Sequence, residues 1–405
     1  MTPGLDSMTI YEQFGLEPII NACGTVTRLG GAPMDARVLK AFQEAAGNWV
    51  PLEHLQGAAS RRIAEATNTE AGLVTAGCAA SLTLGAAAML AGDDLGRMER
   101  LPNCAGFPSE FVVAREHRSG YDHAVRASGA RLVEVGFNEI VSNAGVRRTE
   151  AWEYAEAFGP ETAGVFYVQG ADMQPPLAQI VSVAHERGLP VLVDAAGALP
   201  PRANLTAISG TGADLVAFSG GKGVRGPQST GILCGRSELI ASAALQMLDM
   251  DDHWELWDPP PKLINKRTLP GLPRHGIGRS LKVSKEEIVA LLTALELFVS
   301  RAYDDDLSRY RTMLETVVGA LAGNAVECRI REPADADCWP VLEVVVDEAT
   351  LRRSAIDVCR ALRAGSPEIY VGHGELASGR LIVNPVCLNV EQAARLGERL
   401  REELS

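Results

Sequence analysis

Short apolar runs alternate with helical stretches between about residue 50 and residue 240. The run at 191–193, Val-Leu-Val, is apolar without alternation, as in a parallel strand that is covered on both faces. Strands that alternate with helices predict an α/β fold with a mostly parallel sheet flanked by helices. Seven such strands are predicted, at 73–75, 111–114, 132–135, 165–168, 191–193, 215–218 and 231–234.

The rest of the chain predicts an N-terminal arm and helix and a smaller C-terminal α+β domain. Ser284 and Glu287 form a capping box, and apolar positions follow at helical spacing. The predicted domains are therefore 1–45, 46–282 and 283–405. In the last domain we expect strands at 341–346 and 380–383 and helices at 351–364 and 390–403. Residues 247–274 interrupt the pattern and predict a long excursion, a lid or an interface segment.

The chain of 405 residues is acidic, with 38 Lys and Arg against 51 Asp and Glu and a net charge of −13. This balance argues against nucleic-acid partners and against binding to anionic membranes. No apolar stretch approaches the length of a membrane span, and no secretory signal is visible. The eight cysteines lack a C-x-x-C pair, and the histidines lack metal-ligand spacing. We therefore expect a cytoplasmic protein with reduced thiols and no metal site.

Lys222 follows a predicted strand and the turn Ser219-Gly-Gly. A strand that ends in a glycine-rich turn places the next side chain at the carboxyl edge of the sheet, where open α/β folds bind ligands. A lysine with few solvating neighbours there can lose its proton and form a Schiff base. The alternative is an ordinary lysine of a surface loop.

Asp194 ends the buried run at 191–193, 28 residues before Lys222. A carboxylate at the end of a buried strand is costly unless a cation or a hydrogen-bond donor meets it. The protonated ring nitrogen of pyridoxal 5'-phosphate (PLP) is such a partner, and Ala196 is small enough to lie against the ring. The alternative is an aspartate that caps the next turn.

The segment 70–81 predicts a strand, a glycine turn and the start of an Ala-rich helix. Free amides at a helix start favour an anion. The amides of Gly77, Cys78 and Ala79, with the hydroxyl of Ser219, are therefore candidates to hold the phosphate of the cofactor. Such junctions occur in many α/β proteins, so the order of phosphate turn, strand-end Asp and strand-end Lys is the more specific signal.

From about Tyr11 to its end, the chain resembles the selenocysteine synthase-like group of fold-type-I PLP enzymes, which also contains the D-glucosaminate-6-phosphate ammonia-lyases. The most specific match is the lysine motif with its Gly-Pro-Gln continuation. The matching segments are 19–26, 191–196, 218–222, 226–231, 276–287 and 379–385.

The resemblance implies a fold-type-I PLP transferase fold, a Schiff base on Lys222, Asp194 on the pyridine nitrogen and Ser219 on the phosphate. It also implies a ring stacked on the cofactor, for which His117 is the candidate, with a satisfied loop histidine as the alternative. Gln169 is a candidate for the phenolic oxygen of the cofactor, or a structural amide.

The resemblance further implies a lyase that removes ammonia by α,β-elimination from a small hydroxy amino acid or an amino-sugar acid. An aldolase, a racemase, an aminotransferase or a silent phosphate binder are the alternatives. The small anionic substrate needs a cationic holder, for which the candidates are Arg28, Arg279 and Lys282, each of which could instead be a surface cation. We expect a homodimer or higher homo-oligomer. In the synthases a tRNA-gripping domain precedes the Ile-Asn-Ala segment, which starts here at Ile19, so we expect no such domain and no tRNA substrate.

One departure concerns the C-terminal domain. The synthases read Ile-Gly-Arg where this chain reads Val371-Gly372-His373, so the arginine is missing and carboxylate recognition from this loop is in doubt.

Overall fold

The alternating strands and helices fold into one large sheet with helices around it. The computed structural model describes residues 9–137, 147–170, 172–249, 251–324 and 326–405. The strands are β1 Ile20–Ala22, β2 Ala71–Thr75, β3 Glu110–Ala114, β4 Arg131–Val135, β5 Thr162–Val168, β6 Val191–Asp194, β7 Leu215–Ser219, β8 Gly231–Gly235, β9 Val326–Arg331, β10 Val341–Val346, β11 Ile369–Val371 and β12 Arg380–Val383.

Helices follow most of these strands. They are α1 Ala36–Ala46, α2 Leu52–Thr67, α3 Cys78–Ala91, α4 Leu95–Arg100, α5 Asp122–Ala127, α6 Ala151–Ala157, α7 Leu177–His185, α8 Asn204–Ser209, α9 Ser237–Met247, α10 Lys285–Val299, α11 Asp305–Ala320, α12 Glu348–Leu351, α13 Ala355–Arg363 and α14 Val390–Glu403. The excursion at 247–274 contains only a short 3₁₀ turn, Lys266–Thr268, among its described residues. In the described part of the chain, no helix combines the length and the apolar character that a membrane crossing requires.

The large sheet has seven strands in the order β2-β8-β7-β6-β5-β3-β4. Strand β8 runs antiparallel to both of its neighbours, and the other pairs in the sheet are parallel. The predicted fold class is confirmed: a mostly parallel seven-stranded sheet flanked by helices, with a further α+β part.

Helix α3 lies close against this sheet because its sequence is apolar and small on every side. Most of its residues are buried. A Cβ on Gly85 would lie 2.9 Å from Cδ1 of Leu192 in β6, so a larger residue there would require the Leu192 side chain to shift. Since α3 directly follows β2, this packing places the first turn of the helix at the carboxyl edge of the sheet.

The chain divides into two compact units, a large unit of residues 34–300 and a small unit of residues 1–33 and 301–405. Helix α10 belongs to the large unit, and the predicted capping box of Ser284 and Glu287 is present at its start. The limits of the units therefore fall at the end of α10, whereas the predicted domain limit falls before it.

The small unit contains a parallel pair, β1 with β11, and an antiparallel sheet in the order β12-β10-β9. In β10 buried and partly exposed residues alternate, as expected for a sheet with one face on a core. The predicted helix at 351–364 is wrong in its first turn, because Ser354 caps a helix that begins at Ala355. Strands β9, β1 and β11 were not predicted.

Candidate active site

Lys222 lies in the turn after β7, held on both sides by glycines that are packed against backbone. A Cβ on Gly221 would lie 2.4 Å from Cα of Gln228, and one on Gly223 would lie 2.5 Å from the carbonyl oxygen of Leu199. The Lys222 carbonyl accepts a hydrogen bond from the amide of Arg225 at 3.0 Å. The turn therefore fixes the backbone of Lys222, whose side chain is half-buried at the carboxyl edge of the large sheet.

Asp194 ends β6 and is 6% exposed. Its Oδ1 accepts a hydrogen bond from the amide of Ala196 at 3.0 Å, while in the described residues no hydrogen bond reaches Oδ2. Burial raises the pKa of the carboxyl, and the Ala196 amide, the charge of Lys222 and the Cys78 thiol oppose that rise. Asp194 is therefore a buried carboxylate that can accept further hydrogen bonds and that is stabilised by the positive charge of Lys222.

The Cys78 thiol is a contact that the sequence did not suggest. Its Sγ lies 3.8 Å from Oδ1 of Asp194 and 3.5 Å from the carbonyl oxygen of Ala217 in β7. Burial raises the pKa of the thiol well above its usual value, and the charge of Asp194 adds to that rise. The thiol therefore stays a neutral donor. The prediction assigned only the backbone amide of Cys78 to the site.

The predicted phosphate turn has the expected shape. Gly77 has φ +85°, a conformation that favours glycine, and no side chain in the described part of the chain caps the start of α3. The strand β8 begins against this turn, because a Cβ on Gly231 would lie 2.6 Å from the amide nitrogen of Cys78. Register pairs Gly231 with both Thr75 and Ser219. The amides at the start of α3 therefore lie beside the end of β7, at the carboxyl edge of the large sheet.

His117 follows β3 and is 2% exposed. Neither of its ring nitrogens has a hydrogen-bond partner among the described residues. Its ring meets that of Tyr167 in β5 edge-on, with centroids 4.6 Å apart, and burial lowers the pKa of the imidazole. It is thus a neutral imidazole with unused polar atoms, two strands from Asp194 in the sheet order. The charge of Glu116 and the nearby backbone of Gln174 oppose that fall in pKa.

Gln169 follows β5 and is tied to β6 through its backbone, since its amide donates to the carbonyl oxygen of Asp194 at 2.8 Å. Its side-chain amide donates to the carbonyl oxygen of Gly170 at 3.2 Å. The predicted cofactor residues of β5, β6 and β7 therefore share one edge of the sheet.

The predicted substrate cations lie in different places. Arg279 forms an ion pair with Asp249 and, with the exposed Lys282, lines a cavity of about 390 Å³ in the large unit. Arg28 belongs to the small unit, where its guanidinium carbon lies 5.4 Å from the ring centroid of Tyr370.

These residues fit PLP. The cofactor presents a phosphate, a ring nitrogen that needs an anion and an aldehyde that needs an amine. The large unit offers uncapped amides at the start of α3, a buried Asp194 whose Oδ2 receives no hydrogen bond among the described residues, and a half-buried Lys222. The buried His117 adds a ring with unpartnered nitrogens.

Comparisons with known proteins agree on the class, the fold-type-I PLP enzymes. The class-V aminotransferase family matches residues 116–253. A 5'-C-glycyluridine monooxygenase-decarboxylase of a Streptomyces species is 30% identical over 411 residues, which cover 97% of this chain and 92% of the relative.

A D-glucosaminate-6-phosphate ammonia lyase of Salmonella typhimurium is 28% identical over 410 residues, covering 99% of this chain and 98% of the relative. A solved structure of a D-glucosaminate-6-phosphate ammonia-lyase superposes with a TM-score of 0.80 and 26% identity, covering 98% of both chains. The chain belongs to the PLP-dependent family that contains these enzymes, and the predicted family is confirmed.

Proposed function

We propose that this protein is a PLP-dependent ammonia lyase, which acts by α,β-elimination on a 2-amino-3-hydroxy acid of the amino-sugar acid or small amino acid class. The observation that carries this choice is the full-length likeness, in sequence and in fold, to D-glucosaminate-6-phosphate ammonia lyase. The residues of the large unit supply the parts that such chemistry needs.

The proposed cofactor residues lie at or after the ends of five strands, β2, β3, β5, β6 and β7. The amides of Gly77, Cys78 and Ala79 and the hydroxyl of Ser219 hold the phosphate, and Asp194 offers its Oδ2 to the ring nitrogen. His117 and Ala196 would lie against the ring, and the side-chain amide of Gln169 would donate to its phenolic oxygen. When bound, PLP supplies an electron sink that stabilises negative charge at the substrate Cα.

Lys222 moves the proton. Its free amine removes the hydrogen from the substrate Cα, which a flexible side chain on a fixed turn can reach. The β-hydroxyl then leaves as water with the proton that Lys222 has taken up, and hydrolysis of the resulting enamine by a second water gives a 2-oxo acid and ammonia. The tight turn fixes the backbone of Lys222, and the half-buried position of the residue limits the water that competes for the proton.

The acidic group of the substrate requires a cation with two donors in one plane, which arginine provides. Arg28 and Arg279 are the candidates of this kind, and Lys282 adds a further positive charge. Arg279 would have to exchange its partner Asp249 for the substrate.

The test is a substrate screen with PLP-saturated protein. Ammonia and 2-oxo acid are measured with D-glucosaminate, its 6-phosphate, serine and threonine, and the Lys222→Ala variant is the control. We expect the two products in equal amounts from at least one substrate. Exchange between D and L forms without ammonia would indicate a racemase instead, release of an aldehyde an aldolase, and dependence on a 2-oxo acceptor an aminotransferase.

Oxidative decarboxylation is a second candidate, which the 30% identity to the Streptomyces monooxygenase-decarboxylase supports. The same screen is therefore run in air and under argon, with release of carbon dioxide measured. A lyase releases ammonia equally under both gases, whereas the second candidate requires dioxygen.

The remaining expectations concern the cellular location, the oligomeric state and the partners of the enzyme. We propose a cytoplasmic homo-oligomer that binds neither nucleic acid nor membrane, which the acidic composition supports. Light scattering coupled to size exclusion would give the number of subunits, and a mass of one chain would contradict this assignment.

A further inference from the structure

The turn that carries His117 is anchored by charged side chains on both sides of the imidazole. Arg115 and Arg118 both form ion pairs with Glu134 in the edge strand β4. Arg118 also pairs with the buried Asp122 at the start of α5. The imidazole itself has no hydrogen-bond partner among the described residues. The position of the ring therefore depends on the backbone of the turn and on packing.

Glu116 ties this turn to a second segment, residues 147–149. Its Oε1 accepts a hydrogen bond from the amide of Thr149 at 3.1 Å, and its Oε2 accepts from the guanidinium of Arg148. The Glu116 side chain is 18% exposed. Burial alone would raise the pKa of this carboxyl, but the bonds from Arg148 and Thr149 outweigh burial and hold the pKa below its usual value. Glu116 is therefore a carboxylate with both oxygens in use.

Arg148 extends the connection to the segment that follows β5. Its Nη1 donates to the carbonyl oxygen of Asp172 at 3.0 Å, and the backbone of Asp172 has φ +57°, in the left-handed region. A second bond holds the same segment, because the hydroxyl of Tyr167 in β5 donates to the carbonyl oxygen of Pro175 at 2.9 Å. Tyr167 carries the ring that meets His117 edge-on. The contacts thus return to the imidazole by a second route.

Two of the proposed cofactor residues lie on this connection, His117 beside Glu116 and Gln169 at the start of the segment that Arg148 holds. An ion pair as exposed as that of Arg148, whose side chain is 47% exposed, usually stabilises a fold little. A planar guanidinium that binds a carboxylate and a carbonyl together does, however, fix the geometry of the segments that it joins. The effect of the pair is therefore expected in orientation and not in stability.

We infer that Glu116 and Arg148 are positioning residues, which together hold the His117 ring and the segment after β5 in the orientation that a cofactor ring stacked on the imidazole requires. The inference rests on the proposed cofactor site and extends it to two residues that do not themselves touch the cofactor. Stacked rings have a preferred geometry, so a turned imidazole would lose contact with its partner. A pair with a merely structural role would change stability and leave the orientation of the cofactor as it is.

The first measurement needs no cofactor. In protein with isotope-labelled histidine, the ring current of Tyr167 shifts the imidazole proton signals of His117, and His117→Gln identifies these signals. At a pH where the imidazole is neutral, Glu116→Gln and Arg148→Met should both move the signals towards those of an exposed histidine. Arg147→Met is the matched control, because it removes the neighbouring guanidinium, whose ion pairs with Glu150 and Glu153 stay within residues 147–153. It should leave the signals in place.

The second measurement separates position from charge, because the two variants remove charges of opposite sign. Burial lowers the pKa of His117, the charge of Glu116 opposes this, and the charge of Arg148 adds to it. A purely electrostatic role predicts opposite effects on PLP affinity, whereas positioning predicts the same effect. In absorbance titrations Glu116→Gln and Arg148→Met should each weaken binding about three- to tenfold, the range for one hydrogen bond. The double variant should lose no more than either single variant, since both break one connection.

Circular dichroism in the absorption band of bound PLP reports the orientation of its ring and is recorded on the same samples. Both variants should change this signal, Arg147→Met should match wild type, and thermal unfolding should stay nearly the same in all of them. Opposite effects on affinity, additive losses in the double variant, an unchanged dichroism signal or an equal change in Arg147→Met would each overturn the inference. If wild-type protein bound no PLP, the proposed function would fail, and the imidazole signals alone would decide whether the pair positions His117.

Discussion

Two buried aspartates lie at opposite edges of the same sheet, on neighbouring strands, and differ in what surrounds them. Asp214 immediately precedes β7, at its amino end, and is 2% exposed, while Asp194 ends β6 and is 6% exposed. Both positions follow from the same fold, because strands that are buried on both faces carry charged side chains only near their ends.

Asp214 is fully satisfied. Its Oδ2 accepts from the amide of Val191 at 2.7 Å and from the ring of His185 at 2.9 Å, and its Oδ1 meets Arg236 at 2.9 Å. Asp194 has one amide and a weak thiol donor, both on Oδ1. Burial alone therefore does not mark a functional carboxylate. The difference is acceptor capacity that the protein leaves unfilled, at the edge where a ligand can fill it.

The largest expected effect is the loss of activity when Lys222, whose charge acts on Asp194, is replaced. Lys222→Ala should lower the rate of ammonia release by at least about 10³-fold, because it removes the base and the covalent tether together. Borohydride reduction followed by mass spectrometry should place the cofactor on Lys222 in wild-type protein. Lys262→Ala, at an exposed lysine of the excursion, is the control and should leave the rate unchanged. A label on another lysine would contradict the assignment.

Exchanging the two aspartates for asparagine should separate function from stability. Asp194→Asn should lower activity about 10²- to 10⁴-fold and leave the fold intact, because the amide cannot hold the ring nitrogen protonated. Asp214→Asn should keep the activity of the folded protein and lower the free energy of unfolding by about 1–3 kcal/mol, since it disrupts a buried hydrogen-bond set.

Activity assays and urea unfolding of both variants make this comparison. We expect the Asp214→Asn variant to lose no more than this free energy of unfolding. The side chains of Arg236 and His185 are 50% and 44% exposed, so water can solvate them when the carboxylate is removed. If both variants lost the same property, acceptor capacity would not be what distinguishes the two sites.

The pH dependence of stability sharpens the comparison further. Burial raises the pKa of Asp194 in the folded protein above its unfolded value. Without cofactor the unfolded chain therefore ionises first, and folding stability is lost as the pH rises from the unfolded pKa through the folded one. The Asp194→Asn variant lacks this loss. The difference in free energy of unfolding, variant minus cofactor-free wild type, should therefore rise with pH across the mildly acidic range and then level off. A difference that stays constant with pH would contradict the raised pKa.

The sequence predicted the positions of Asp194 and Lys222 because both follow from local patterns. A buried apolar run that ends in Asp and another that ends in Ser-Gly-Gly-Lys identify strand ends, and parallel strands bring their carboxyl ends to one edge. The capping box at Ser284 was recognised in the same way. The box at Ser354 and Asp357 carries the same signal and was missed, which displaced the start of α13.

Contacts between distant segments could not be predicted in this way. Cys78 meets Asp194 across 116 positions of the sequence, and only the sheet order places α3 beside β6 and β7. Strand β9 reads Val-Glu-Cys-Arg-Ile-Arg, an apolar–polar alternation typical of a half-buried strand, and this local signal was overlooked. Strands β1 and β11 have three residues each, too few for any period to appear. The ion pair of Glu116 with Arg148 joins segments 32 positions apart, which no local pattern encodes.

The smallest expected effect concerns the Cys78 thiol. Cys78→Ala removes a donor from Asp194 and should weaken PLP binding about two- to tenfold, the range for one neutral hydrogen bond. Cys78→Ser keeps a donor and should restore most of the affinity. Absorbance titration of cofactor-free protein measures the binding. Cys234→Ala is the control, because this buried thiol in β8 lies 3.6 Å from the carbonyl oxygen of Val216 and contacts no carboxylate of a described residue.

A thiol has one hydrogen, and the Cys78 thiol has two acceptors within reach. The carbonyl oxygen of Ala217 lies at 3.5 Å and Oδ1 of Asp194 at 3.8 Å, so distance alone favours the carbonyl. The charge on the carboxylate favours Asp194, because hydrogen bonds to ionised acceptors are about twice as strong as neutral ones. Unchanged PLP affinity in Cys78→Ala would mean that the hydrogen points to Ala217, which would leave the Ala196 amide as the single donor on Asp194 among the described residues.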